Sequence, residues 1–402
     1  MTRGLTIKND WRHAEPELKG STRLLLLLSR VELDEEQSLR ARELCARIDD
    51  WDDFARSAAE YFIAPLCLYH LGRIGEGEWF QPAREALVRC AMPMTLKTLS
   101  LAALQRRFIE RYVLPLEASF AVLKGRALGA RYYPEAGLRF ARDLDILVPV
   151  EHIPALVMAA QKDGYRIYPE RRLMKIDEAH IVARQSKVVT LLGSDGILIE
   201  VHVQLDKAGF LLDHRGMMER AETIEIDGLS TRVLTTADHF VYICLHHTKH
   251  FWSRLNWLAD LDALVRSSDF DRSEVMALAR ARGVEKTVAA CLKFYQVCGT
   301  EDPWKQAGDQ AEVMDLLRAC LVILDQGAAT EFEMRPDRLS LDFNFEWQFP
   351  DGFERRRRWN VRLASLRPSV ADYRAMPLPR AWHWLYFATR PVRLLLRRET
   401  AQ

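Results

Sequence analysis

Along the chain, the spacing of apolar side chains changes period twice. Before residue 116, apolar positions recur every three and four residues, most clearly in DDFARSAAEYFIAPLCLYHL (52–71) and TLKTLSLAALQRRFIERYVLPL (95–116). That is the spacing of a helix with one buried face. Gly75 and Gly77 break the pattern between the two stretches. From Phe120 onward the runs are short, rich in Val, Ile and Leu, and bounded by Gly, Pro or Asp: AVLKG, DLDILVPV, KVVTLL and ILIEVHVQL. These predict strands. A helix is expected between the second and third, from about His152 to Asp163, with Gly164 ending it. After Leu234 the helical spacing returns. Thr235 or Thr236 supplies a capping oxygen for a helix through DHFVYICLHHTKH. LNWLADLDALV, VEKTVAACLKFYQV and AEVMDLLRACLVIL continue in the same style. The expected organisation is therefore α+β: a helical domain over 1–115, a sheet core over 116–234, a second helical domain over 235–330, and an irregular aromatic tail over 331–402.

Composition adds a polarity to this layout. The chain carries a net charge of +1, but residues 353 to 402 hold twelve Arg and three acids, a local +9 that leaves −8 on the rest. A basic tail follows an acidic body. The seven cysteines are scattered, with no C-x-x-C pair, which suits reduced thiols in a cytoplasmic protein better than a disulfide frame or a zinc ribbon. The longest purely aliphatic run, Leu24 to Leu28, is too short to span a bilayer, and the N-terminus has no apolar signal core.

The candidate chemistry lies in the sheet region. Asp143-Leu144-Asp145 opens the apolar run DLDILVPV. Side chains alternate along a strand, so both carboxylates leave one face while Leu144 and Ile146 leave the other. Two acids so close repel each other unless a cation lies between them. Upstream, Lys124-Gly125 interrupts another apolar segment, where a backbone could approach an anion. Glu200 stands at an otherwise apolar position of ILIEVHVQL, with His202 on its face. A charge in a strand core asks for a partner. Should this strand neighbour that of Asp143, three carboxylates converge, a donor set that favours Mg²⁺ or Mn²⁺. The pattern points to metal-assisted phosphoryl or nucleotidyl chemistry.

Taken in order, Leu123-Lys124-Gly125, Tyr133-Pro134, Arg139, Asp143-Leu144-Asp145-Ile146-Leu147-Val148, Gly164-Tyr165 and Ile199-Glu200-Val201-His202 resemble the polymerase-β-like nucleotidyltransferase superfamily. Within it they look like a branch of poorly characterised bacterial nucleotidyltransferases. Asp50-Trp51 with the helix to Leu71 is similar to that branch's N-terminal helical segment. Leu245-His246 through His250, with Trp252, Leu255, Trp257 and Asp260, is similar to its segment after the sheet. The likeness covers about residues 45 to 300.

That resemblance implies a small mixed sheet with helices on one face, flanked by helical domains. It implies that Asp143 and Asp145 hold a metal that clamps a nucleoside triphosphate such as ATP, and that Glu200 joins them to hold a second. Lys124, the Gly125 backbone N–H and Arg139 become the triphosphate partners, with Arg142 weaker. The implied reaction moves a nucleoside monophosphate to a hydroxyl of a small molecule or protein and releases pyrophosphate. Arg126 follows Gly125, where many members carry serine.

Other features read more plainly. His246 and His250 stand one helical turn apart, but no HExxH glutamate accompanies them, so hydrogen-bonded structural histidines are expected, with His246 admitted beside the nucleotide. His202 is expected to support Glu200 rather than bind metal. No G-x-S-x-G elbow, Walker A sequence or G-x-G-x-x-G turn occurs after a strand. The tail, with Arg355 to Arg358, Trp359, Trp382, Trp384, Tyr386 and Phe387, is expected first to pack on the acidic body, second to meet an anionic membrane surface and third to bind nucleic acid. A competing reading of the whole is a non-catalytic adaptor that keeps the fold and docks to a partner or membrane through this tail.

Overall fold

The computed structural model describes residues 11–206, 211–335, 345–348, 370–378 and 380–399. Arg355 to Arg358 and Trp359 lie outside the described residues. Packing divides the chain into two compact units, each assembled from separated stretches: 1–100, 125–141 and 235–350 in the first, and 101–124, 142–234 and 351–402 in the second.

All seven strands belong to the second unit. They are β1 (Ala121–Val122), β2 (Asp143–Leu147), β3 (Arg166–Ile167), β4 (Val188–Leu192), β5 (Leu198–His202), β6 (Glu222–Ile226) and β7 (Leu229–Val233). They form one sheet in the order β3-β4-β5-β2-β1-β7-β6. β2 runs parallel to β5, and β1 parallel to β7. The remaining pairings are antiparallel. The fold is thus α+β with a mixed sheet, as expected.

Alternation gives the sheet two unlike faces. Leu144, Ile146, Ile199 and Val201 are almost wholly buried on one, and each such side chain contributes roughly 1.5–3 kcal/mol. The helices Ile153–Lys162 and Ile176–Gln185 pack together, the second also against β4, and bury Leu156, Val157, Ala179 and Val182. Gly164, at φ +97°, follows the first of them, the left-handed stop that its sequence position predicts. Asp143, Asp145, Glu200 and His202 alternate onto the other face.

β3, the helix Ile176–Gln185 and the β6–β7 hairpin come in addition to the elements that the apolar runs predict. That hairpin turns at Asp227 and Gly228, whose φ values of 51° and 75° fit the two-residue turn that right-twisted strands favour.

The first unit is helical. Asp50 caps the helix Trp51–Glu60 by accepting from the Asp53 N–H at 2.8 Å. Thr235 caps Thr236–Lys249 through the Asp238 N–H at 3.2 Å, as anticipated. The helix Asn256–Arg266 is buried over most of its length, including two fully buried acids, Asp260 and Asp262. Asp262 accepts from Arg30 (3.2 Å), the Val31 N–H (2.8 Å), Arg266 (3.0 Å) and the Tyr295 hydroxyl. A buried charge is tolerable on such terms.

The described part of the tail packs on its own unit. The helix Val370–Ala375 lies against Ile176–Gln185. Arg374 pairs with Glu170 and Glu178, while Arg390 and Arg393 pair with Asp372. Trp382, Trp384 and Phe387 remain exposed.

One helical stretch, Phe80–Leu116, has the length and hydropathy to cross a membrane, with 39% of its apolar window buried in the protein. A search for uninterrupted aliphatic runs misses it, because its apolar residues are spaced among polar ones.

Candidate functional site

β2 and β5 pair in parallel with Asp145 directly opposite Glu200 and Leu147 opposite His202. Side chains in register on parallel neighbours share a face, so the sheet itself brings the acids of two distant segments together. Donor atoms of Asp145, Glu200 and His202 all lie within 4.8 Å of one another. His202 Nε2 is 2.8 Å from Asp145 Oδ1 and 3.5 Å from Glu200 Oε2. Lys124, two residues beyond β1, places Nζ 3.1 Å from the same Asp145 oxygen. Asp145 is almost fully buried, His202 nearly so, and the Glu200 side chain is one-third exposed.

These neighbours divide the charge unevenly. Burial alone would raise the Asp145 pKa, but the Lys124 ammonium and the His202 hydrogen bond outweigh it and hold that carboxyl well below its usual range. Burial would likewise lower the His202 imidazole, and its bonds to Asp145 and Glu200 reverse the direction. Asp143 shifts the other way. Burial, and then the Asp145 charge, push it up to about 6, because the Lys124 and Arg142 charges offset them only in part. A carboxylate buried beside two other acids is the environment that a divalent cation relieves, and the oxygen-rich donor set fits one.

Residues 48–299, more than half of the chain, match the family model described as an uncharacterised nucleotidyltransferase. The chain belongs to this nucleotidyltransferase family. No curated protein matches it. The matched segment contains every strand of the sheet, with Asp143, Asp145, Glu200 and His202.

Arg139, expected at the triphosphate of this nucleotidyltransferase, is paired with an interior acid. Arg139, only 4% exposed, lies in the helical unit. Its Nε and Nη2 each donate to the Asp260 carboxylate at 2.8 Å, and Nη1 donates to the Phe140 carbonyl at 3.3 Å. The Tyr133 hydroxyl donates to the same Asp260 at 2.7 Å. This guanidinium is committed to an interior ion pair. Gly125 adopts φ +59° and ψ −122° before the helix Arg126–Tyr132, a conformation that glycine takes without steric cost. The Lys-Gly sequence thus marks a backbone requirement.

His246 is also in the helical unit, within a ring cluster of Tyr242, His247, His250 and Trp257. His250 pairs with Glu331 at 2.8 Å. Sequence reasoning placed Asp143, Asp145, Glu200 and His202 on matching faces. It missed that Lys124 pairs with Asp145 and that the His202 nitrogen sits between two carboxylates. Only the strand register supplies those facts.

Proposed function

We propose that this protein is a divalent-metal-dependent nucleotidyltransferase, moving a nucleoside monophosphate from a nucleoside triphosphate to a hydroxyl of a small molecule or protein, with release of pyrophosphate. The observation that carries the reading is the register of β2 on β5, which sets Asp145 opposite Glu200 with Asp143 on the same face. Asp143, Asp145 and Glu200 would hold Mg²⁺ or Mn²⁺. When bound, such ions stabilise the attacking and leaving oxygens of an in-line displacement.

The chain's own groups have separate tasks. Lys124 balances Asp145 and is the cation best placed to pass from that carboxylate to a phosphate oxygen. Burial of Asp145 sharpens every charge interaction around it. His202 fixes the orientation of both carboxylates. Arg139 is not among the proposed triphosphate partners, because Asp260 already takes its fork.

The test is equilibrium binding of each nucleoside triphosphate with and without Mg²⁺ or Mn²⁺. Asp143→Asn combined with Asp145→Asn is expected to abolish the metal-dependent part, a loss of at least tenfold in affinity. Unchanged metal-dependent binding in a folded double variant would remove the site assignment. A second role, contact with an anionic membrane surface, is favoured by the exposed Trp382, Trp384 and Phe387 of the tail. Co-sedimentation with phosphatidylserine vesicles, lost in a Trp382→Ala, Trp384→Ala, Phe387→Ala variant, checks it.

A further inference from the structure

The histidine of the cluster is placed to do more than orient the carboxylates beside it. His202 ends β5, two residues after Glu200 and on its face, and lies opposite Leu147 of β2. Its side chain is 9% exposed, so it is no solvated surface imidazole. Nε2 points between two acids, 2.8 Å from Asp145 Oδ1 and 3.5 Å from Glu200 Oε2.

Bonds of about 2.0–2.2 Å from a metal to nitrogen and oxygen, set near right angles, hold neighbouring donor atoms about 3 Å apart. The spacings at His202 bracket that value.

We propose that His202 Nε2 is itself a ligand of the divalent cation, completing a mixed nitrogen–oxygen centre with Asp145 and Glu200. Imidazole suits first-row transition ions, whereas Mg²⁺ prefers an all-oxygen shell. The centre therefore selects Mn²⁺ over Mg²⁺. The inference rests on reading Asp145 and Glu200 as cation ligands, and goes beyond it in naming the nitrogen and the preferred ion. Asp143, on the same face, supplies a further oxygen.

The experiment is Mn²⁺ titration of the full chain followed by electron paramagnetic resonance, first without nucleotide and then with ATP. Pulsed spectra of the bound ion are expected to carry ¹⁴N modulation from a directly coordinated imidazole, which changes on ¹⁵N-histidine labelling. His202→Gln should remove that modulation and reduce the Mn²⁺-over-Mg²⁺ affinity ratio by about tenfold or more, a loss of the size that outer partners of a metal already cause. The wild-type spectrum decides the matter even if the variant fails to fold. Bound Mn²⁺ without ¹⁴N coupling overturns the proposal and leaves the carboxylate centre standing. So does a folded His202→Gln with an unchanged ion ratio. If neither ion binds, with or without ATP, the metal reading itself falls and this inference with it.

Discussion

The triplet Asp-Leu-Asp occurs twice in this chain, and its two fates show what a residue's surroundings decide. At 143–145 it lies on a strand, where period two throws both carboxylates to one face and leaves them to share a scarce positive charge. At 260–262 it lies on a helix, where residues two apart do not face each other. Asp260 meets Arg139 and Tyr133, Asp262 meets Arg30 and Tyr295, and each acid is satisfied separately. The strand pair was legible as a site because its face follows from alternation alone. The partner of Arg139 was not, since it stands 121 residues further along the chain, and an arginine just upstream of two acids looks like a phosphate ligand until that partner is seen. The difference is measurable. Arg139→Ala leaves Asp260 charged, fully buried and short of its guanidinium, which costs about 3–5 kcal/mol. Urea unfolding should show a stability loss of that size, with Mn²⁺ affinity of the folded fraction unchanged. A variant of normal stability but impaired nucleotide binding would return Arg139 to the triphosphate.

At the level of elements, the sequence predicted what periodicity and punctuation encode. β2, β4, β5, the helix ended by Gly164 and the Thr235 cap all stand where the pattern put them. β6 and β7 lie outside the apolar runs, although Asp227-Gly228, flanked by ETIEI and LSTRV, carries the usual hairpin signal. Their residues are largely exposed or half-exposed, so the apolar runs used to find strands were absent. Register and strand order were beyond reach, because they depend on which strands meet. The short helix Thr330–Met334 shows how one such element is held. Its Glu331 accepts from the Ser253 hydroxyl at 2.6 Å, bonds His250 at 2.8 Å and pairs with Arg335. Burial alone would raise this carboxyl, yet those bonds hold it at about 2. A depressed acid favours the fold above its ordinary pKa of 4.5, and the gain is lost as pH falls toward 2. The stability gap between wild type and Glu331→Gln should therefore be constant near neutrality and narrow by about 2 kcal/mol between pH 6 and pH 3. A gap that does not change with pH across that window would show that the carboxylate is not held ionised by its partners.

For the molecule as a whole, packing regroups the chain in a way that linear order conceals. Residues 125–141 fall with the two helical stretches that flank the sheet region, while residues 351–402 fall with the sheet. Tail arginines that read as a free basic surface are in part committed, with Arg374, Arg390 and Arg393 paired to acids of their own unit. The cysteines all lie in the first unit and give a test of its interior packing that needs no ligand. All seven are free, six are buried, and Cys90 is half-buried. Burial pushes the thiols of Cys45 and Cys320 up to about 12 and raises Cys67, Cys244 and Cys298 as well. Thiolate is the reactive form, so buried and protonated thiols are inert while an accessible one is not. Treated with an aromatic disulfide reagent at pH 8, the native chain should release one equivalent rapidly and seven after denaturation. Cys90→Ser should eliminate the rapid phase, and reductant should leave the melting temperature unchanged because no disulfide cross-link contributes to it. Several fast thiols in the folded Cys90→Ser protein would mean that the helical core is open where the packing has it closed, and a reductant-sensitive melt would mean that two of these cysteines are joined.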